Sequence, residues 1–320
     1  MANLANGTRI GDYVIESLLS DKGGMSEIYL AALYGQPTYK VALKFPRKVE
    51  TNQNAYQDLL RDEANFLAKL RHPGIVRVFP LTQAGGKTTY LARAAALPQQ
   101  PWYFAMEYVP GSDLAKYVKQ IAKFPLPWIT ELFYQIAVTI QFMHTKDQGY
   151  GHCDIKPENI LMREVPDPHR PPQPVFVDFG TVKPFDAPIT QPALSLKYSS
   201  PEVVQAHIRK DIPPEQFPLQ PEKIDIWALG VLLFELITGQ ELFNQRKDDE
   251  ITTSILRGKL KRIRDLRPEI NPSFDILLNE MLKQDPDERP DIDDVIEVLE
   301  ERISNVRPPR IPMANTHSKH

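Results

Sequence analysis

Short apolar runs alternate with turn-forming residues over the first hundred positions. Tyr13–Leu19, Glu27–Leu33, Tyr39–Phe45, Ile75–Leu81 and Trp102–Tyr108 are rich in β-branched and aromatic residues and bounded by Gly, Pro, Asp or Asn, a pattern that predicts strands. One stretch among them has a different period. Between Ala55 and Leu70 the apolar positions are Tyr56, Leu59, Leu60, Phe66, Leu67 and Leu70, the stripe of a helix lying on a core. From Asp113 onward the helical period takes over. Ile129–His144 repeats it at Leu132, Phe133, Ile136, Ala137 and Ile140; Ile224–Thr238, Phe274–Lys283 and Ile292–Ile303 follow, and Gly239 supplies a helix stop. A small β-rich region and a larger helical region therefore meet near Tyr108–Gly111.

Composition narrows the class. The chain has 320 residues, 42% apolar and 25% charged, ordinary for a globular protein and enough for two domains or two lobes. Its 38 basic and 41 acidic residues leave a net charge of −3, so no global basic field exists to hold nucleic acid. A single cysteine, Cys153, excludes a disulfide framework and a Cys-built zinc site. The start shows no basic-then-apolar leader, and the longest apolar stretch, Ile226–Phe234, meets Glu235 long before it could span a bilayer. A soluble, cytoplasmic protein without a membrane segment is expected. Proline is the unusual figure, 30 of 320. It gathers at Pro166–Pro174, at Pro213–Pro221, near Pro125 and Pro127, and after Val306, as stiffened loops between elements. Thr82–Pro101 is a long connection whose structure stays open.

Short motifs carry the chemistry. Val41-Ala42-Leu43-Lys44, Glu63, His152-Cys153-Asp154-Ile155-Lys156-Pro157-Glu158-Asn159, Asp178-Phe179-Gly180 and Ser200-Pro201-Glu202 follow in that order. One tripeptide alone turns up by chance in roughly 4% of chains this long; the ordered set does not. Glu63 falls on the apolar stripe of its helix and Lys44 in an apolar strand, so each charge needs a partner. A Lys44–Glu63 ion pair satisfies both. Two snorkelling surface charges would be the bland alternative.

These motifs resemble the protein kinase family over nearly the whole chain, from about Ile10 to Ile303, and their wording is similar to the bacterial Ser/Thr branch. The resemblance implies an α+β, bilobal fold: an N-terminal extension (1–9), a β-rich N-lobe with one main helix (10–108), a mainly helical C-lobe (109–303) and a flexible tail (304–320). It implies transfer of the γ-phosphate of ATP, with Mg²⁺ (or Mn²⁺), to Ser or Thr hydroxyls of protein substrates, the kinase itself among them. Self-association through the N-lobe is a further implication. By the same resemblance Lys44 holds the α- and β-phosphates, Asp178 and Asn159 bind metal, Asp154 orients the substrate hydroxyl and takes its proton, and Lys156 steadies the γ-phosphate. The ATP pocket would comprise Gly23, Gly24 and Ser26 of a glycine-rich loop, then Ile28, Ala42, Met106, Glu107, Val109 and Leu161. Ser195, Glu202, Asp225 and Arg289 would be structural supports, with Glu202 paired to Arg289 and Asp225 accepting from the catalytic-loop backbone.

Two departures matter. The glycine-rich loop has Asp21 and Ser26 where the family pattern has glycine, placing a carboxylate at the edge of an anion site. Cys153 stands where most members carry the Arg that clamps a phosphorylated activation loop, so activity is expected without phosphorylation at Thr190, the candidate site. A pseudokinase scaffold that binds nucleotide without turnover is the alternative reading. A small-molecule phosphotransferase ranks third, because such enzymes lack Ser-Pro-Glu and a Glu202–Arg289 pairing.

Overall fold

Alternation along one strand sets the architecture of the N-terminal region. Val41, Leu43 and Phe45 are fully buried on one face of β4 (Gln36–Pro46), while Ala42 and Lys44 project from the other. The computed structural model describes residues 4–21, 26–47, 53–82, 86–119, 125–167, 169–190, 192–258 and 260–303. The chain forms two compact units, Met1–Pro110 with Phe176–Gly180, and Gly111–Val175 with Thr181–His320.

In the first unit, β1 (Arg9–Ile10), β2 (Tyr13–Ser20) and β3 (Ser26–Leu33) lead antiparallel into β4. The sheet continues through β9 (Trp102–Glu107) to β5 (Val78–Phe79). Ile10, Tyr29, Val41, Leu43, Phe45, Tyr103 and Ala105 form the core of one face; Phe45 stacks on Tyr103 with centroids 5.4 Å apart. Helix α1 (Gln53–Leu67) packs against β4 and β9, burying Leu60, Glu63, Ala64 and Leu67 as a stripe. The strand expected over Ile75–Leu81 is interrupted. Ile75 makes an isolated bridge to Phe176, β5 is two residues long, and β6 (Leu81–Thr82) turns away to pair with β7 (Thr88–Thr89). Pro80, with no N–H to donate, stands at the break. The connection after Thr82 also contributes β8 (Ala92–Arg93), which pairs with β9.

The second unit is built round α5 (Pro221–Thr238), buried throughout from Ile224 to Thr238, as a helix apolar on all sides must be. Gly239 ends it at φ 67° with its N–H on the Glu235 carbonyl. Around it lie α2 (Leu114–Val118), α3 (Leu126–Thr145), α4 (Pro201–Ile208), α6 (Asp248–Arg257), α7 (Ile263–Leu266), α8 (Pro272–Met281) and α9 (Ile292–Ile303). Two small ladders complete it, β10 (Tyr150–Gly151) with β13 (Lys183–Pro184), and β11 (Ile160–Arg163) with β12 (Gln173–Phe176). Gly111, at φ 144°, admits no side chain, since a Cβ there would lie 2.3 Å from the Met162 carbonyl oxygen. The architecture is α+β and bilobal, with the sheet in the first unit and most of the helices in the second. Among the described residues no helix is long and apolar enough to cross a membrane. The expected tail, 304–320, and most of the glycine-rich loop, including Gly23 and Gly24, lie outside the described residues.

Candidate active site

The face of β4 opposite the apolar core carries the first cluster. Lys44 Nζ lies 2.6 and 2.7 Å from the two Glu63 oxygens and 3.0 Å from Asp178 Oδ1. Both members of the pair are almost fully buried, whereas the Asp178 side chain is 43% exposed. Burial works against the Lys44 ammonium, but the Asp178 and Glu63 carboxylates outweigh it and hold its pKa above the ordinary lysine value. Burial lifts the Glu63 pKa, with the Lys44 cation pulling against it. The proton therefore stays on Lys44. Phe179 locks the arrangement: its N–H donates to Glu63 Oε1 at 3.1 Å, and its buried ring sits 6.2 Å from that of Phe66. The Gly180 N–H reaches Asp178 Oδ1 at 3.3 Å.

Strand register groups the expected nucleotide-binding residues of this unit. Ser26 opposes Pro46, Ile28 opposes Lys44, and Ala42 opposes Met106, so Ser26, Ile28, Ala42, Lys44 and Met106 share one sheet face. The Glu107 N–H is engaged by the Arg77 carbonyl at 2.7 Å, and Val109 is buried just beyond β9. Leu161 belongs to the second unit, on β11, bridged to Asp113.

The second cluster is a loop between β10 and β11. Asp225, wholly buried on α5, accepts the His152 N–H at 2.7 Å and the Cys153 N–H at 2.8 Å, and His144 Nε2 lies 3.0 Å from it. Held by its backbone, the loop turns at Cys153, whose φ is 62°, and presents Asp154. Ser195 Oγ donates to Asp154 Oδ1 at 2.6 Å; Lys156 Nζ donates to Oδ2 at 2.7 Å and to Ser195 Oγ at 2.8 Å. Asn159 Nδ2 donates to the Asp154 carbonyl at 2.9 Å and to Oδ2 at 3.1 Å. Three expected residues thus converge on the carboxylate of a fourth. Chemically this is a fixed base beside a cation, suited to taking a hydroxyl proton next to a charged group in transfer.

Further along, Glu202 and Arg289 form a buried fork, both contacts 2.7 Å. The remaining Arg289 donors go to the carbonyls of Lys283, Lys223 and Gln284, and the guanidinium lies 5.2 Å from the Trp227 ring centroid. Burial and the Asp225 charge push the Cys153 thiol well up, against the pull of Lys183, so Cys153 is a neutral thiol.

Two contacts escape a reading of the sequence. Tyr198 donates to buried Glu235 at 2.8 Å, and His144 joins Asp225. A lone carboxylate inside the apolar run Leu232–Ile237 is the available signal for Glu235.

The order and geometry of these groups have a counterpart among known proteins. A model described as the protein kinase domain matches residues 21–299. The chain belongs to the protein kinase domain family. The kinase is 27% identical to the tyrosine-protein kinase MasK of Myxococcus xanthus, over 87% of this chain and 41% of that one. It is 26% identical to the serine/threonine-protein kinase ULK3 of Xenopus laevis, over 88% of this chain and 53% of the relative. It is also 26% identical to the serine/threonine-protein kinase ATG1a of Arabidopsis thaliana, over 88% and 40%. The kinase thus spans about half, or less, of the length of these curated relatives. The family uses ATP with a divalent metal. Among the described residues no group of three or more His, Cys, Asp or Glu could hold an ion. Of the two residues expected to bind metal, Asp178 in the first unit presents a half-exposed carboxylate, and Asn159 in the second keeps its Oδ1 while its amide nitrogen is committed to Asp154. Neutral and anionic oxygen donors of this kind are the type that small divalent ions take, alongside phosphate and water.

Proposed function

We propose that this kinase transfers the γ-phosphoryl group of ATP to Ser or Thr hydroxyls of protein substrates, its own included. The single observation that carries the reading is the Asp154 carboxylate held at once by Ser195, Lys156 and Asn159. When bound, Mg²⁺ (or Mn²⁺) supplies charge neutralisation to the phosphates, with Asp178 and Asn159 as its protein ligands. Lys44, kept charged and aimed by Glu63, would take the α- and β-phosphates, and the shared face of Ser26, Ile28, Ala42 and Met106 would contact the nucleotide, with Ile28 and Ala42 expected above the adenine and Leu161 below it. Asp154 orients the substrate hydroxyl and accepts its proton as the oxygen bonds to the γ-phosphorus and the bond to the β-phosphate oxygen breaks. Lys156 balances charge on the moving phosphoryl group. Its placement two residues after Asp154 favours Ser and Thr over Tyr. The setting is cytoplasmic, where ATP is at hand, and the exposed Tyr34 and Tyr39 of the first unit offer apolar area for self-association.

The test is a radiolabelled ATP assay with a basic protein substrate, comparing the chain with Asp154→Asn and identifying the phosphoamino acids after hydrolysis. Phosphoserine or phosphothreonine that vanishes in the variant is the expected result. Phosphotyrosine alone, or label unaffected by Asp154→Asn, would refute the reading. Sedimentation velocity tests the self-association.

A further inference from the structure

Asp154 keeps its Ser195 partner only while the segment from Thr181 to Ser200 stays in place. Within the second unit that segment is attached at both ends. At its start Lys183 pairs with Gly151, and Thr181 Oγ1 donates to the His152 carbonyl at 2.9 Å. At its end are Ser195 and the Tyr198–Glu235 hydrogen bond. Between them Pro188 and Thr190 are exposed, yet Ile189 is only 3% exposed. It forms a small apolar cluster with Val203 and Ile224, against which the half-buried Cys153 and Leu219 pack. Two voids of about 10 Å³ each adjoin Cys153, one also lined by Asp154 and Ser195, the other by Thr181, Lys183 and Ile189.

We propose that Ile189 is a positioning residue: its burial against Cys153, Val203 and Ile224 holds the segment on the catalytic loop without modification of any hydroxyl. The inference deepens the kinase reading above and rests on it for its kinetic arm. Burial of one isoleucine biases a closed segment over an open one by roughly 10- to 100-fold, enough to keep Ser195 on Asp154 in nearly every molecule. Cys153 contributes a small apolar surface to this contact, where an arginine would need an anion for company. Lys183 lines the second void, so a phosphate on Thr190 paired with Lys183 is the competing arrangement.

The experiment uses the full chain, phosphatase-treated and verified by intact mass as unphosphorylated, beside Ile189→Val, Ile189→Ala, Ile189→Ser and Thr190→Ala. It reads kcat, KM for ATP, Tm, and hydrogen exchange of peptides covering 181–200. Unmodified wild type and Thr190→Ala are expected to be fully active. The Val, Ala, Ser series should lose kcat progressively, reaching roughly 10- to 100-fold, at unchanged KM for ATP. Exchange in 181–200 should accelerate in parallel while the rest of the unit stays protected, and valine should restore most of both. Loss of activity on phosphatase treatment, or kcat and exchange indifferent to the series, would overturn the proposal. Should no form phosphorylate any substrate, the kinase reading fails. Exchange then decides alone: acceleration in the series supports the Ile189 anchor and its absence overturns it. A variant whose Tm collapses is replaced in the comparison by the next milder member.

Discussion

Replacing Lys44 with methionine takes one ammonium out of a site where two carboxylates converge on it within 3.0 Å. At that separation and an effective dielectric constant of about 20, each charge pair is worth roughly 5 kcal/mol before desolvation is subtracted. Stripping one partner from a buried pair costs about 3–5 kcal/mol in practice. Glu63, only 4% exposed, would be left with the Phe179 N–H as its compensation. Glu63→Leu is milder, at about 1–2 kcal/mol, because Asp178 still accepts from Lys44. The double variant buries no charge at this spot and should sit within about 1 kcal/mol of wild type, a coupling of at least about 3 kcal/mol. At about 2 °C per kcal/mol for a protein of this size, Lys44→Met should lower Tm by roughly 6–10 °C, and the double variant should recover most of it. Phosphoryl transfer should stay abolished in the double variant, separating stability from chemistry. Additive losses, with no recovery in the double variant, would refute the reasoning.

Three further outcomes follow from other contacts. Arg289→Lys keeps the charge but replaces five donors in a planar fork by three on a point charge, so chemical denaturation should show a loss of about 2–4 kcal/mol. Burial, with Glu241 and Glu158 nearby, raises the Glu235 pKa to about 7 despite its hydrogen bond from Tyr198. A carboxyl raised in the folded state binds more protons there than unfolded, so its cost to stability grows as pH rises from about 4.5 and levels above about 7. Glu235→Gln should accordingly raise Tm at pH 8, by a gain on the order of 2 kcal/mol that vanishes near pH 5, seen by thermal melts across that range. Ser195→Ala removes the donor at Asp154 Oδ1, and steady-state kinetics should show kcat falling on the order of tenfold with KM for ATP unchanged.

Much of this is legible in the sequence because it rests on local periodicity or on charges that need partners. The stripe from Tyr56 to Leu70 places α1, and the misfit of Glu63 within it, set beside Lys44, calls for a pair on sequence grounds alone. α5 can be read from its uninterrupted apolar run and Gly239. What stays hidden depends on partners distant in sequence. The strand over Ile75–Leu81 looks continuous because β propensity ignores where each N–H must go, and Pro80 divides it between two ladders. Helices α4 and α6 are missed because α4 opens on Pro201 without a polar-apolar rhythm, and α6 buries only Ile251 and Ile255. Its signals are the acidic first turn at Asp248–Glu250 and the closing Gly258. No local pattern in Ile189 announces its burial between exposed neighbours, since that requires Val203 and Ile224 to be folded beneath it.

The grip of Asp225 on the loop has a consequence for what the neighbouring positions can tolerate. It takes hold of two peptide N–H groups, at His152 and Cys153, and is indifferent to what those residues carry on their Cα atoms. The base at position 154 is therefore registered to α5 through the main chain. Side-chain identity at 153 is decoupled from catalysis geometry and answers to two other constraints: a left-handed backbone, which disfavours β-branched residues, and whatever the segment above presents. A charge there would invite control by an anion, and on the proposal above a small thiol beside Ile189 would give that control up. On the Ile189 proposal, one substitution at a position that the Asp225 grip does not read would convert a switched loop into a permanently seated one.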